Sequence, residues 1–452
     1  MDEAVVNAEL GVAEFVVNSC WEGLPETVQR KGRMCLLDTL GAALVGTLTQ
    51  ASKIAADYAG EAWAGDAATI LLHGKRAAAA GAAFANGCSA NGVDIDDCGL
   101  YTRGHPGAQV LAAALAMAEK LDLSGAQMLT GMVVGYEVAL RCARCWHDYH
   151  RTYHACGSWG SVACAAIAGN MMHLTLGQVR NALGIAEYHA PNLPMMRDID
   201  SPAMVKHGIG WGAMTGILSA DLAARGFTGI PSILSLEKYR DWVSDIGKRY
   251  AMVDGVAWKE HAGCAWGHAA LNGARALVKQ HSIPSDEIVH IRVEAFHEAV
   301  RLGVDLPSTT EEAQFSLAWP LAALLIHGEV GPLQMLEPGL SDQRVRDLAA
   351  RVELVESEEL DELSRNYARG DPQGKLASAV TISLRDGSLL ESGIVESGIS
   401  YPQPGWDEDR LEAKVRRLAG HVLDEAGVDE LIDLVWHFDQ VPSVRCLTSI
   451  LA

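Results

Sequence analysis

The residues best equipped for chemistry fall into four short polar clusters set in apolar text. The first runs Asn91-Gly92-Val93-Asp94-Ile95-Asp96-Asp97-Cys98 and resumes at Arg103-Gly104-His105-Pro106-Gly107. An Ala/Leu-rich run follows Gly107, which places His105 just before a helix N-terminus. Partial positive charge there favours anions and tends to lower an imidazole pKa. Asp94 or Asp97 within reach would orient the ring or pull its pKa up. A solvated acidic loop with a helix cap is the plainer reading of the same residues. The second cluster, His147-Asp148-Tyr149-His150-Arg151-Thr152-Tyr153-His154, precedes Gly157-Ser158-Trp159-Gly160 and another Ala-rich run. The third carries Lys206-His207 ahead of a Gly-rich helix, and the fourth spans Trp258 to His268 and contains Lys259, His261 and His268. A lone Lys-His pair is ordinarily surface; repetition at the mouths of small-residue helices is what lifts these. Converging Arg103, His105, His154, Lys206 and Lys259 would make a local positive pocket suited to a small di- or tricarboxylate.

A competing chemistry is metal binding. Cys142-x-x-Cys145 precedes His147, His150 and His154, all competent zinc ligands. The spacing is incomplete, because structural zinc pairs ligands across a gap and no second pair follows. A zinc-stabilised helical interaction protein is therefore the non-enzymatic alternative to a catalytic reading.

The elements that must position these clusters are mostly helices. Leu37, Leu40 and Leu44 keep helical spacing, as do Leu111, Leu115 and Ala118. Ser124-x-x-Gln127 and Thr175-x-x-Gln178 have the capping-box pattern and predict helices over 125–141 and 176–187. Ala77 to Ala90 reads as a buried helix, and another is expected over 209–225, ended by Gly226. Gly131/Gly135 and Gly212/Gly216 are each four apart, which lines up bare backbone for tight helix packing. The texture changes near residue 280. Val289, Ile291 and Val293 alternate with polar residues, as do Val380, Ile382 and Leu384, and Asp386-Gly387 supplies a hairpin turn. Helices are expected over 311–328 and 341–349 between them, and over 407–418 and 429–435 in the tail. The expected architecture is mainly α: an all-helical part to about residue 265, a smaller α+β domain over roughly 270–395, and a tail that returns to helix.

The chain has 452 residues, 36 basic against 57 acidic, for a formal charge of −21. With 49% hydrophobic and 21% charged residues it is an ordinary globular composition. The acidity argues against nucleic acid as a partner, since phosphate recognition needs a basic surface. No apolar run approaches the roughly 20 residues of a membrane span. Ten cysteines are too few for a disulfide scaffold, and the acidic start lacks the basic n-region of a secretory signal. A cytoplasmic protein is expected.

Taken in order, several of these segments resemble the MmgE/PrpD family, which includes 2-methylcitrate dehydratase, cis-aconitate decarboxylase and iminodisuccinate epimerase. The similarity is carried by Leu36-Leu37-Asp38-Thr39-Leu40-Gly41, Asn91 to Asp97, Arg103-Gly104-His105-Pro106 and Gly135-Tyr136-Glu137-Val138. It continues through His154-x-x-Gly157, Ala182 to Ala186, Met204 to Gly212, Gly226-Phe227-Thr228-Gly229, Lys259 with His268, and Ala313-Gln314-Phe315-Ser316-Leu317. The resemblance implies a large all-helical domain over 1–268, completed by 396–452, a smaller α+β lid domain over 269–395, an active site between them, a homodimer, and functional positions at Asp94, His105, His154, Lys206 and Lys259. Arg103, His207, His268, Cys98 and Trp319 join Lys206 and Lys259 as expected substrate contacts. Two departures mark this chain: Cys98 stands where the decarboxylases have threonine, and Trp319 where they have tyrosine. The shared chemistry is proton movement at a carbon next to a carboxylate and calls for no redox cofactor and no metal. The lysines would hold substrate carboxylates, the histidines would exchange protons, and Asp94 would orient one of them or act as base. The expected activity is dehydration of a 2-methylcitrate-like hydroxy-polycarboxylate. The alternatives are an epimerase or isomerase of an amino- or hydroxy-dicarboxylate, and a decarboxylase of a cis-aconitate-like acid.

Overall fold

In the computed structural model, which describes residues 3–452 with side chains from Glu9 onward, the fold is predominantly helical with a smaller α+β region. Two apolar cores divide it. The larger draws on residues 12–258 and again on 411–451. The smaller is built mainly from 262–382, with a few residues such as Val93, Ile95 and Ile199 reaching in from the helical part.

In the helical part both capping boxes form. Ser124 opens Gly125–His150 and Thr175 opens Leu176–His189, each hydroxyl accepting from the backbone N–H of the glutamine three residues on. The first of these runs nine residues past its expected end, because nothing breaks it until Arg151 turns left-handed at φ 54°. Cys142, Cys145 and His147 therefore lie on its last turns. Helices Pro106–Leu121, Gly157–Met171 and Ile209–Ala224 pack around it or one another. The glycine spacing does what it implied. A Cβ on Gly216 would sit 2.4 Å from Cys164 Cβ and 2.6 Å from the Ala165 nitrogen, and one on Gly135 would sit 2.6 Å from Ile167 Cδ1. Backbones approach there because no side chain intervenes. The tail helix Glu408–Ala419 returns to this core, where Lys414 Nζ donates to Asp38 Oδ1 at 2.6 Å and to the Ile95 carbonyl at 2.8 Å.

The α+β part centres on four strands in the order Val352–Glu356, Ile288–Ala295, Ala377–Leu384, Leu389–Glu396. The first two are parallel (Ile291 opposite Val352), and the remaining pairings are antiparallel (Ile291 opposite Ile382, Ile382 opposite Leu390). Gly387 makes the hairpin turn at φ 89°. Three expectations change. A register shift between Ile288 and His290 puts Ile288 inside and leaves Val289 exposed, since an inserted residue inverts the two-residue alternation. The strand Val352–Glu356 and the helix Glu358–Arg369 were not foreseen. The helix expected over 311–328 is two, Thr310–Gln314 and Ala318–His327. Pro320 has no N–H to continue an earlier helix, and the Ser316 hydroxyl instead accepts from the Trp319 N–H to start a new one. The break leaves Gln314 pointing into the polar centre. No single helix among the described residues is long and apolar enough to cross a membrane.

Candidate active site

A cavity of about 410 Å³ opens between the two parts. Its floor is polar and comes from the helical part: Asp94, Cys98, Arg103, His105 and His207. Its walls are largely aromatic and come from later in the chain, with Trp266, Phe296, Phe315, Tyr367 and Tyr401.

His105 is the N-cap residue of Pro106–Leu121, with Pro106 at the first helical position, where its missing N–H costs nothing. The ring is buried and held from both ends. Nδ1 lies 2.9 Å from the Asp97 carbonyl and 3.2 Å from Asp96 Oδ2, while Nε2 lies 3.2 Å from Asp94 Oδ1. The carbonyl accepts the Nδ1 proton, and Asp96 acts on the ring through its charge, its other oxygen accepting from Asn91 Nδ2 at 2.7 Å. Burial by itself would lower the His105 pKa, but Asp96 and Asp94 together outweigh it and raise the pKa. The helix terminus is thus overruled by two carboxylates. Asp97, the other sequence candidate for tuning this ring, turns its carboxyl away: Oδ1 accepts the Gly107 N–H at 2.9 Å and Oδ2 the Tyr136 hydroxyl at 2.7 Å.

Asp94 is fully enclosed. Burial would push its carboxyl up, yet the Lys259 ammonium, 2.5 Å from Oδ1, and the nearby His105 hold it far below the ordinary range. Lys259 is likewise buried, and Asp94 more than offsets the cost of burying its charge. Lys206 donates to the Asn91 carbonyl and to Gln314 Oε1, and burial lowers its pKa. His207 is depressed by burial and by His105, whose ring centroid is 5.1 Å away. Its Nε2 finds no protein partner among the described residues. Asp94, Arg103 and His207 all have positive φ (54°, 49° and 55°), a conformation costly for non-glycine residues and typical of backbone held for function.

The remaining expected residues lie around this centre or away from it. Lys259 and Lys206 sit behind the cavity floor and do not line it. His154 is one residue beyond the wall residue Tyr153, with Nδ1 tied to Thr152. His268 packs edge-on against His261 beneath the floor, 5.5 Å between centroids. Trp319 is buried and spends its Nε1–H on the Gln334 carbonyl at 2.9 Å. The walls were not foreseen: Glu298, Arg301, Tyr367 and Tyr401 stand as much as 307 residues from Asp94 in the floor and belong to no polar cluster in sequence.

Cys142, Cys145 and His147 do not gather into a zinc site. Both ring nitrogens of His147 are engaged by backbone, Nε2 with the Thr102 carbonyl at 3.1 Å and Nδ1 with the His154 N–H at 3.4 Å. The one set of metal-competent groups converging among the described residues is Asp94, His105 and His207. Lys259 already supplies the positive charge there, and a cation bound beside its ammonium would be repelled.

The chain matches the MmgE/PrpD N-terminal domain over residues 11–243 and the MmgE/PrpD C-terminal domain over 261–439. It belongs to the MmgE/PrpD family. Among curated relatives, the cis-aconitate decarboxylase of Homo sapiens is 28% identical over 449 aligned residues, covering 94% of this chain and 90% of that protein. The cis-aconitate decarboxylase of Aspergillus terreus is 23% identical, covering 98% and 96%. That of Mus musculus is 25% identical, covering 95% and 90%. This MmgE/PrpD chain covers nine-tenths or more of each of these relatives, and the cavity is walled by residues from both matched domains.

Proposed function

We propose that this MmgE/PrpD chain is a lyase acting at a carbon next to a carboxylate of a polycarboxylic acid, with decarboxylation of a cis-aconitate-like substrate as its reaction. The observation that carries the reading is the buried imidazole of His105, its pKa raised by Asp94 and Asp96, at the floor of a cavity large enough for a tricarboxylate. The names of the relatives support the same choice. In such a reaction the bond from carbon to the departing carboxylate breaks, and its electron pair delocalises onto the remaining enoate. Carbon dioxide leaves, and a proton is delivered to carbon. His105 Nε2 is the donor in this scheme, regaining its proton from solvent, and the Asp97 carbonyl keeps Nδ1 protonated throughout. Lys259 and Lys206, behind Asp94, lower the cost of accumulating negative charge in a site shielded from water.

A second reading, dehydration of a 2-methylcitrate-like acid, is favoured by the two departures from the decarboxylase pattern. The thiol of Cys98 lines the cavity in place of a hydroxyl, and Trp319 offers the cavity no hydroxyl at all. The same acid would then protonate a leaving hydroxyl. The test is product analysis of purified protein with cis-aconitate and with 2-methylcitrate. Release of carbon dioxide from the first supports the decarboxylase. Growth of enoate absorbance from the second, with no carbon dioxide from the first, replaces it with the dehydratase.

A further inference from the structure

The interior cations of this site are already committed. Lys259 is bonded to Asp94, and Lys206 to the Asn91 carbonyl and Gln314. A substrate carrying two or three carboxylates brings more negative charge than His105 can answer, so a further carboxylate must meet a cation in the cavity wall. Two arginines stand there. Arg103 rises from the floor and donates from Nη2 to the Ala368 carbonyl at 3.2 Å, a neutral partner. Arg301 follows the short helix His297–Val300 of the α+β part and reaches across to Asp200 of the helical part, pairing through Nη2. The Arg301 and Asp200 side chains retain 35% and 43% of their exposure. An ion pair in that setting is worth little. Exchanging Asp200 for another carboxylate therefore costs little: Asp200 is met through Nη2 alone, and a planar guanidinium can take a replacement carboxylate in a two-pronged pairing.

We infer that Arg301 is a specificity-determining residue, resting on Asp200 in the free protein and transferring to the distal carboxylate of a bound polycarboxylate. The inference rests on the polycarboxylate reading above, though not on which bond is broken. Asp200 holds the guanidinium in the free protein without lining the cavity itself, so Arg301 turns from Asp200 toward the cavity it lines to meet the distal group.

The test uses saturated acids that have no bond to cleave: butyrate, glutarate and tricarballylate, with one, two and three carboxylates. Binding to the full-length protein is followed by titration calorimetry, with the fluorescence of Trp266 in the cavity wall as a second signal. Arg301→Gln is expected to weaken tricarballylate and glutarate by roughly ten- to a hundredfold, the loss of one charge-assisted contact, and to leave butyrate unchanged. Arg301→Lys should recover part of the loss. Asp200→Asn should tighten tricarballylate, because the internal competitor is gone. An equal loss across all three acids, or wild-type affinities in Arg301→Gln together with an unaltered Asp200→Asn, overturns the assignment. Wild-type protein that shows this binding pattern yet releases no carbon dioxide from cis-aconitate removes the decarboxylase reading and leaves Arg301 in place.

Discussion

Asp97 offers the most quantitative check on the electrostatics beneath the site. Its carboxyl is fully buried beside Asp38 and Asp96, and burial, with those two charges, pushes its pKa up from 3.8 to about 7. In the unfolded chain it ionises at its ordinary value. Between the two values the folded state holds a proton that the unfolded state has released, so stability falls as pH rises through that window and levels off above about 7. The full span corresponds to roughly 4 kcal/mol, and the part between pH 5 and 8 to about 3 kcal/mol. Asp97→Asn copies the protonated form, keeping an acceptor for the Gly107 N–H and placing an amide donor at the Tyr136 hydroxyl. The variant should match wild type near pH 4 and exceed it by a few kcal/mol at pH 8. Urea denaturation followed by far-ultraviolet circular dichroism at several pH values gives both stabilities. Taking the difference between the two proteins cancels the other titrating groups of a −21 chain. A difference that stays constant from pH 5 to pH 8 would show that Asp97 is ionised in the fold and would refute the reasoning.

Three further substitutions address the proposed proton donor and the helix packing. His105→Gln should lower kcat by a factor on the order of 10² to 10⁴ with the circular dichroism spectrum intact, whereas His154→Gln should cost far less, because Nδ1 of His154 is occupied by Thr152. Since the pKa of His105 is raised, wild-type kcat should decline only above the ordinary imidazole range; a decline on the acid side alone would make His105 a base instead. Gly216→Ala gains about 1 kcal/mol of helix propensity but drives a methyl into Cys164 and Ala165, at a cost of roughly 1–3 kcal/mol, so a lower melting temperature is expected. An unchanged or higher one would mean that the two helices have room to separate.

Much of the helical part was legible because its signals are local. A capping box involves residues three apart, and glycines four apart share one face of a helix whatever surrounds it. Errors arose where a distant partner decides. Val289 looks like an inward residue until the shift against the neighbouring strand is known. The run from residue 311 is a local exception: it looks like one helix, yet Ser316 and Pro320 within it start a second. For the cysteines and histidines over 142–154, zinc binding was only the competing reading, and the backbone around His147 engages both of its nitrogens.

The sequence by itself determined the floor of the site: a histidine ahead of a helix that opens with proline, acidic residues close before it, and lysine-histidine pairs at two other helix mouths. These are short-range arrangements, and the residues involved carry them into any fold they adopt. Only the tertiary structure decided which of them meet. It brought Lys259 onto Asp94 across 165 residues, set Asp96 rather than the Asp97 carboxyl against His105, and closed the cavity with Arg301, Tyr367 and Tyr401. The physical reason is that a charge in a buried site is governed by its few nearest neighbours, and those are chosen by the packing of distant elements.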